Sequence, residues 1–161
     1  KYTTREYRNV VELLRENIAD VAITTDVMVG FPGETEEEFR ETFSFLDEIS
    51  FAKMHVFKYS PRKGTPAATF SNQVRPEVKE ERSEKLLRLS SEKTLEFNSR
   101  FVGRTMPVLF EQKVKSMEGF MEGLTPNYIR VVCKGDESLV GKIAGVRLTE
   151  AVEDYVAGEL V

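Results

Sequence analysis

Cysteine and histidine are nearly missing from this chain: its 161 residues hold one of each, Cys133 and His55. One thiol closes no internal disulfide, and it cannot ligate a tetrahedral metal or an iron–sulfur cluster. One imidazole leaves no His-based triad or His-rich metal site that this chain alone completes. Apolar runs are only a few residues long, so no segment spans a bilayer. No charged start leads into an apolar run and a small-residue cleavage site, so no secretory signal is visible. The sequence reads as cytoplasmic, with no membrane partner. A basic excess is also lacking. With 27 acids against 23 bases the net charge is −4, and nucleic-acid binding would have to rest on a local basic strip. At 40% hydrophobic and 31% charged residues, with 10 Gly and 6 Pro, the chain is no collagen, disulfide scaffold or disordered tail. Its length suits one domain, or a partial domain plus a small one. It opens on Lys1 and runs almost at once into helical sequence, which reads as a piece of a longer protein.

The first half alternates helix and strand. Thr3 with Glu6 fits a capping box, and Tyr7, Val10, Val11, Leu14 and Ile18 follow helical spacing. Val21–Val29 is β-branched and mostly apolar, predicting a strand buried on both faces. Thr35 with Glu38 predicts a second capped helix, with Phe39, Phe43, Leu46 and Ile49 inward and Glu36, Glu37 and Glu38 at its positive end. Met54–Tyr59 reads as the next strand. Strand, helix, strand with short connections predicts parallel pairing, and two such strands form the end of a larger α/β barrel or sheet. Their free edges carry a risk of pairing between chains. After a loop over Ser60–Val74, Pro76 opens a long helix to about Phe101, with Leu86, Leu87, Leu89, Leu95, Phe97 and Phe101 as its apolar stripe and Gly103 as its stop.

Beyond Gly103 the period changes to two. Thr105–Glu111, Gly119–Leu124, Tyr128–Lys134, Leu139–Leu148 and Val152–Leu160 predict five short strands in a small antiparallel barrel. The division therefore falls into residues 1–102 and 103–161.

In parallel α/β folds, ligands lie at the carboxyl ends of strands. Two loops fall there. Gly30-Phe31-Pro32-Gly33-Glu34-Thr35 is either a tight turn into a capped helix or a cradle in which the helix start faces an anion. Tyr59-Ser60-Pro61-Arg62-Lys63-Gly64-Thr65-Pro66-Ala67 is either a solvated loop or a phosphate holder with two adjacent cations. Asp26 sits within an apolar strand, where a carboxylate is costly unless paired or beside a ligand. His55 reads as structural or substrate-facing, and Cys133 as a small buried side chain. In the small barrel Lys113, Lys115, Asn127, Tyr128, Arg130, Lys134, Lys142 and Arg147 offer an RNA surface, although Glu111, Glu118, Glu122, Asp136 and Glu137 are interleaved with them.

Taken in order, these segments resemble a family. Thr24-Thr25-Asp26-Val27-Met28-Val29-Gly30-Phe31-Pro32-Gly33-Glu34-Thr35 is similar to the late-barrel strand and loop of radical S-adenosylmethionine tRNA methylthiotransferases. The Tyr59–Ala67 segment resembles the loop after their last barrel strand. Gly123, Thr125, Asn127-Tyr128, Val131 and Val140-Gly141-Lys142 resemble their closing TRAM domain. His55-Val56-Phe57 leading into Tyr59-Ser60 is most similar to the branch acting on threonylcarbamoyladenosine, with departures at Lys58, where that branch commonly has proline, and at Leu124, where it often has His or Tyr.

The resemblance implies an α/β fold: the last part of a parallel TIM-like radical barrel, including its final long helix, followed by a small antiparallel, OB-like TRAM barrel. It implies a parent with two 4Fe-4S clusters that cleaves S-adenosylmethionine to a 5′-deoxyadenosyl radical. That parent adds a methylthio group at C2 of the modified adenosine beside the tRNA anticodon. The cluster cysteines are absent here, so this piece alone is expected to be inactive and to depend on the upstream domains of the same polypeptide. Asp26, Met28 and Gly30 would line the cofactor side of the barrel mouth, and Phe57 and Tyr59 would approach the S-adenosylmethionine adenine or the substrate. Arg62 and Lys63 would meet RNA phosphate in the anticodon stem-loop, with Lys113, Asn127, Tyr128, Arg130 and Lys142 holding RNA in TRAM. The rivals are the isopentenyl-adenosine branch, a non-catalytic RNA-binding module, and a phosphate-sugar enzyme using the Gly30–Thr35 loop.

Overall fold

A computed structural model describes residues 2–161, which form two compact units. The first unit comprises Lys1–Leu13 with Ile23–Lys93, and the second Leu14–Ala22 with Thr94–Val161.

The first unit is built on helix α1 (Thr4–Asn17, continuing into the second unit), strand β1 (Thr24–Val29), helix α2 (Glu36–Ile49), strand β2 (Lys53–Lys58) and helix α3 (Pro76–Ser99, likewise shared). Both expected capping boxes form. Glu6 N–H reaches Thr3 Oγ1 at 3.2 Å while Thr3 N–H reaches Glu6 Oε2 at 2.7 Å. Thr35 and Glu38 exchange the same pair at 3.2 and 2.8 Å. Strands β1 and β2 pair in parallel, with Asp26 opposite His55 and Met28 opposite Phe57.

Three expectations need correction here. The first strand starts at Thr24, three residues later than predicted, and it is not buried on both faces. Val27 and Val29 join Leu46, Ile49, Met54, Leu86 and Leu89 in the core, while Thr24, Asp26 and Met28 point away into the open. The helices cover one face of this two-stranded sheet only, so a mostly apolar run does not translate into burial on both faces. Val10 on α1, Ile18 just past its end, and Leu87 and Leu95 on α3 are exposed too. On α3 the buried face is instead Arg82, Ser83, Leu86, Leu89, Ser90, Phe97 and Asn98, a helical spacing that mixes polar groups into the stripe.

Ser90 explains its own burial. Its hydroxyl accepts Met54 N–H at 3.0 Å and donates to Met54 C=O at 3.1 Å. Both main-chain groups of Met54 are thereby satisfied by the helix, which closes β2 to a further strand at that point.

The second unit contains a closed five-stranded barrel of β3 (Thr105–Lys113), β4 (Phe120–Leu124), β5 (Arg130–Lys134), β6 (Ile143–Ala151) and β7 (Val156–Leu160), in the order β3-β4-β5-β7-β6. Alternate residues fill it: Met106, Val108 and Phe110 from β3, Met121 from β4, Val131 and Cys133 from β5, Val146 and Leu148 from β6, and Val156 from β7. Closure is not wholly antiparallel as expected, because β5 and β7 pair in parallel. The strand predicted over Leu139–Leu148 begins only at Ile143, because Glu137–Leu139 form a 3-10 turn whose start is capped by Asp136, Ser138 N–H donating to its carboxylate at 2.8 Å. Gly123 lets two strands touch. A Cβ there would lie 2.8 Å from both the Leu109 carbonyl carbon and Phe110 Cα, and closer still to Leu109 O.

Candidate functional site

In the first unit, the exposed face of the β1–β2 sheet carries Asp26, Met28, His55 and Phe57 side by side in register. Met28 and Phe57 are both about half exposed, at 54% and 52%. Two apolar side chains beside a carboxylate offer a surface for a flat ring and for a hydroxyl or ammonium group. This face accounts for Asp26: the carboxylate within the apolar strand points to solvent.

The two loops lie at the carboxyl ends of these strands. Gly30 and Gly33 adopt positive φ, 73° and 92°. Gly33 N–H bonds Asn72 C=O at 2.9 Å, so the loops after β1 and β2 touch. The start of α2 is not left open to an anion. Thr35 Oγ1 takes the Glu38 N–H, and Glu34 turns back so that Oε2 accepts Gly30 N–H at 3.0 Å and Oε1 accepts from Arg82 Nη1 at 2.5 Å. With Glu34, Glu36 and Glu38 gathered at that end, an incoming phosphate meets carboxylates, and the anion cradle gives way to an internally capped turn.

Tyr59 is buried. Its N–H continues the sheet to Val29 C=O at 2.9 Å, and its ring packs edge-on against Phe31 with centroids 5.3 Å apart. The hydroxyl is buried with no partner among the described residues. Phe31 in turn meets Phe70 edge-on at 6.4 Å, so Phe31 and Phe70 stand exposed with Tyr59 beneath them. Arg62 and Lys63 are exposed and form no ion pair with a described residue. Their turn is fixed from within, Thr65 donating both its N–H and its hydroxyl to Arg62 C=O at 3.1 and 2.8 Å.

Sequence reasoning missed Lys79 and Arg82, which hold these loops through Tyr59 C=O and Glu34. Arg82 occupies the register of the α3 apolar stripe, four residues before Leu86 and seven before Leu89. A charged residue at an inward position was the available signal.

In the second unit the polar residues divide into held and free. Asn127 is tied into the fold, since its Oδ1 accepts the Thr125 hydroxyl at 2.6 Å and its Nδ2 donates to Asp20 C=O at 3.1 Å. Arg130 pairs with Glu122, whose other oxygen takes Gln112 Nε2 at 2.6 Å. That pairing, first through Arg130 and then through Gln112, holds the Glu122 carboxyl below its usual range against the opposing effect of burial. Lys113 pairs with Glu137 at 2.7 Å and Arg147 with Glu159 at 2.5 Å. Lys115, Lys134 and Lys142 form no ion pair with a described acid.

Tyr128 stands apart. It is 81% exposed and held at φ 63°, a left-handed conformation uncommon for an aromatic residue. The turn fixes it there, with Tyr128 N–H on Thr125 C=O at 2.9 Å and Ile129 N–H on Thr125 Oγ1 at 2.9 Å. It borders a cavity of about 380 Å³ lined also by Pro107, Leu109, Leu124 and Ile143. Leu109 is the cross-strand partner of both Leu124 and Ile143, so these three form one apolar row.

Residues 99–161 match the model of the TRAM domain. The barrel and the preceding strands and loops match together in curated relatives. The chain is 40% identical over 163 residues to "Threonylcarbamoyladenosine tRNA methylthiotransferase MtaB" of Bacillus subtilis (strain 168), covering 100% of this chain and 36% of that protein. It is 40% identical over 161 residues to a "tRNA-2-methylthio-N(6)-dimethylallyladenosine synthase" of Acetivibrio thermocellus, covering 100% of this chain and 34% of the relative. A protein of the same description from Thermoanaerobacter sp. (strain X514) is 42% identical over 161 residues, with the same two coverages. The chain thus spans about a third of the length of these relatives, and it corresponds to their C-terminal region.

The residues present do not fit an iron–sulfur cluster. No three His, Cys, Asp or Glu side chains gather closely enough to hold a metal among the described residues. The one thiol, Cys133, lies inside the five-stranded barrel, where burial pushes its pKa up, the reverse of what a thiolate ligand needs. No described helix is long and apolar enough to cross a membrane.

Proposed function

We propose that this chain is the C-terminal part of a cytoplasmic tRNA methylthiotransferase, whose full-length parent replaces the C2 hydrogen of N6-threonylcarbamoyladenosine beside the anticodon with a methylthio group. The observation that carries this reading is the unbroken match. One alignment with the Bacillus relative runs through the β1 loop, the β2 loop, α3 and the whole TRAM domain.

The two units divide the work in this reading. The first is the end of a radical barrel. Ser90 closes the outer edge of β2 at Met54, and the edge of β1 receives the preceding strands of the parent. The exposed Asp26, Met28 and Phe57 face the reaction space, where Phe57 and Met28 exclude water and stack on a base while Asp26 orients a polar group. S-adenosylmethionine, when bound, supplies the methyl group and the radical chemistry. The iron–sulfur clusters belong to the upstream polypeptide, because no ligand set for them gathers among the described residues.

RNA is met at two places. Arg62 and Lys63 form an exposed pair of cations for backbone phosphates of the anticodon stem-loop. On TRAM the fixed, exposed Tyr128 and the Leu109–Leu124–Ile143 row form a platform on which an unpaired base stacks, with Lys142 supplying charge.

A second reading has an observation of its own. Relatives named for dimethylallyladenosine are 40% and 42% identical over the same span, which supports that substrate equally. Anaerobic reconstitution of the full-length parent tests the shared part of both. Iron and sulfide matching two 4Fe-4S clusters are expected, whereas none after reconstitution leaves only an RNA-binding module.

A further inference from the structure

The loops after β1 and β2 are both fastened to the first turns of α3. Lys79 reaches each of them. Its aliphatic stem occupies the space that a Cβ on Gly30 would fill, with Cδ and Cε at 3.0 and 3.1 Å from that position. Its ammonium then donates to Tyr59 C=O at 3.0 Å and lies 5.1 Å from the centre of the Tyr59 ring. Three residues on, the buried Arg82 donates from Nη1 to Glu34 Oε1 at 2.5 Å and to Glu34 C=O at 3.2 Å. Glu34 passes the tie on to Gly30 N–H. Gly30 is therefore gripped by Lys79 directly and by Arg82 through Glu34, while Tyr59, which leads into Arg62 and Lys63, is gripped by Lys79.

A buried guanidinium is an expensive way to attach a helix to a loop, since an apolar pair of similar volume commonly gives equal or greater stability. What a charge-assisted pair adds is direction: short, angle-dependent bonds hold a loop in one arrangement more closely than apolar contact does. Loops that must present groups to a large ligand benefit from that fixing.

We infer that Lys79 and Arg82 are positioning residues that hold the two loops in one arrangement, so that Arg62 and Lys63 meet RNA from a rigid base. What the loops hold rests on the proposed function; the fastening itself does not.

The test uses the full-length parent with Lys79→Met, which keeps the stem over Gly30 and removes the ammonium, and with Lys79→Arg as the conservative variant. Trypsin cuts after Arg62 and Lys63, so the native cleavage rate there reads the freedom of the loop. Lys79→Met is expected to raise that rate about fivefold or more with the melting temperature unchanged, and Lys79→Arg to stay near wild type. KM for tRNA is expected to rise by about the same factor while kcat stays within about twofold. Cleavage within about twofold of wild type overturns the fastening, as does faster cleavage throughout the chain with a lowered melting temperature. Faster cleavage with KM unchanged overturns the presentation to RNA. Should Lys79→Met not fold, the pair Arg82→Met with Glu34→Gln, which leaves no orphaned charge, takes its place with the same expected rise. If the wild-type parent converts no tRNA, the proposed function fails, and the cleavage comparison still decides the fastening.

Discussion

Two glycines of the five-stranded barrel separate crowding from backbone conformation. At Gly123 a methyl group would sit 2.8 Å from the Leu109 carbonyl carbon and from Phe110 Cα, with Leu109 O nearer still. These are main-chain atoms of the paired strand at its bulge, so no rotamer change relieves the contact. Restoring an ordinary 3.4 Å contact means moving β3 away from β4 and straining hydrogen bonds on both sides. Overpacking of this kind costs about 3 kcal/mol. Gly141 is the control. It has φ 75°, and a Cβ there meets nothing within 4 Å. Gly141→Ala therefore carries only the left-handed penalty of roughly 1–2 kcal/mol.

Cys133 provides the assay, because it is the chain's one thiol and lies within the barrel. It is expected to ignore a thiol reagent in the native protein and to react once the barrel opens in urea. With a slope of about 2 kcal/mol/M, Gly123→Ala should lower the midpoint by about 1.5 M and Gly141→Ala by about 0.5–1 M. Equal midpoints for the two variants would refute the argument from crowding.

Other consequences follow from single contacts. Ser90→Ala leaves both main-chain groups of buried Met54 without a partner and should destabilise the first unit by about 1–3 kcal/mol in urea unfolding followed by circular dichroism. A change below a few tenths of a kcal/mol would mean that water reaches Met54. The lowered Glu122 pKa stabilises the fold above the unfolded carboxyl's ordinary value near 4.5, and that stability is lost as pH falls through the folded value. Glu122→Gln should therefore flatten the acid side of a stability–pH curve, and an unchanged acid limb would show that the pairing with Arg130 contributes nothing. In the parent, removing both Arg62 and Lys63 should weaken tRNA binding and reduce the slope of log K against log salt by roughly 1.4 to 1.8. The same slope in wild type and variant excludes phosphate contacts at these two residues.

Local chemistry was the legible part of this fold. Capping boxes at Thr3–Glu6 and Thr35–Glu38 need only residues three apart, and both form. The period-two pattern beyond Gly103 gives five strands because alternate side chains fill the barrel. Burial was harder to read. The apolar composition of Val21–Val29 suits a strand covered on both faces, yet which face the helices cover is a property of the sheet. The parallel closure of β5 with β7 is hidden for a similar reason, since strand spacing does not carry strand order. At the site, Arg62, Lys63 and Tyr128 stand exposed on the surfaces where RNA contact was expected. Asn127 and Arg130 have the right chemistry for RNA but spend it on Asp20, Thr125 and Glu122. The ties from Lys79 and Arg82 span 20 and 48 residues of sequence, beyond the reach of any local pattern.

The most direct test of the proposed reaction is nucleoside mass spectrometry of tRNA from a host lacking its own methylthiotransferases and expressing the full-length parent. N6-threonylcarbamoyladenosine is expected to gain a methylthio group in place of its C2 hydrogen while dimethylallyladenosine is unchanged. The reverse pattern would move the chain to the second substrate. With folded, iron-loaded parent in hand, both nucleosides unmodified would contradict the methylthiotransferase reading.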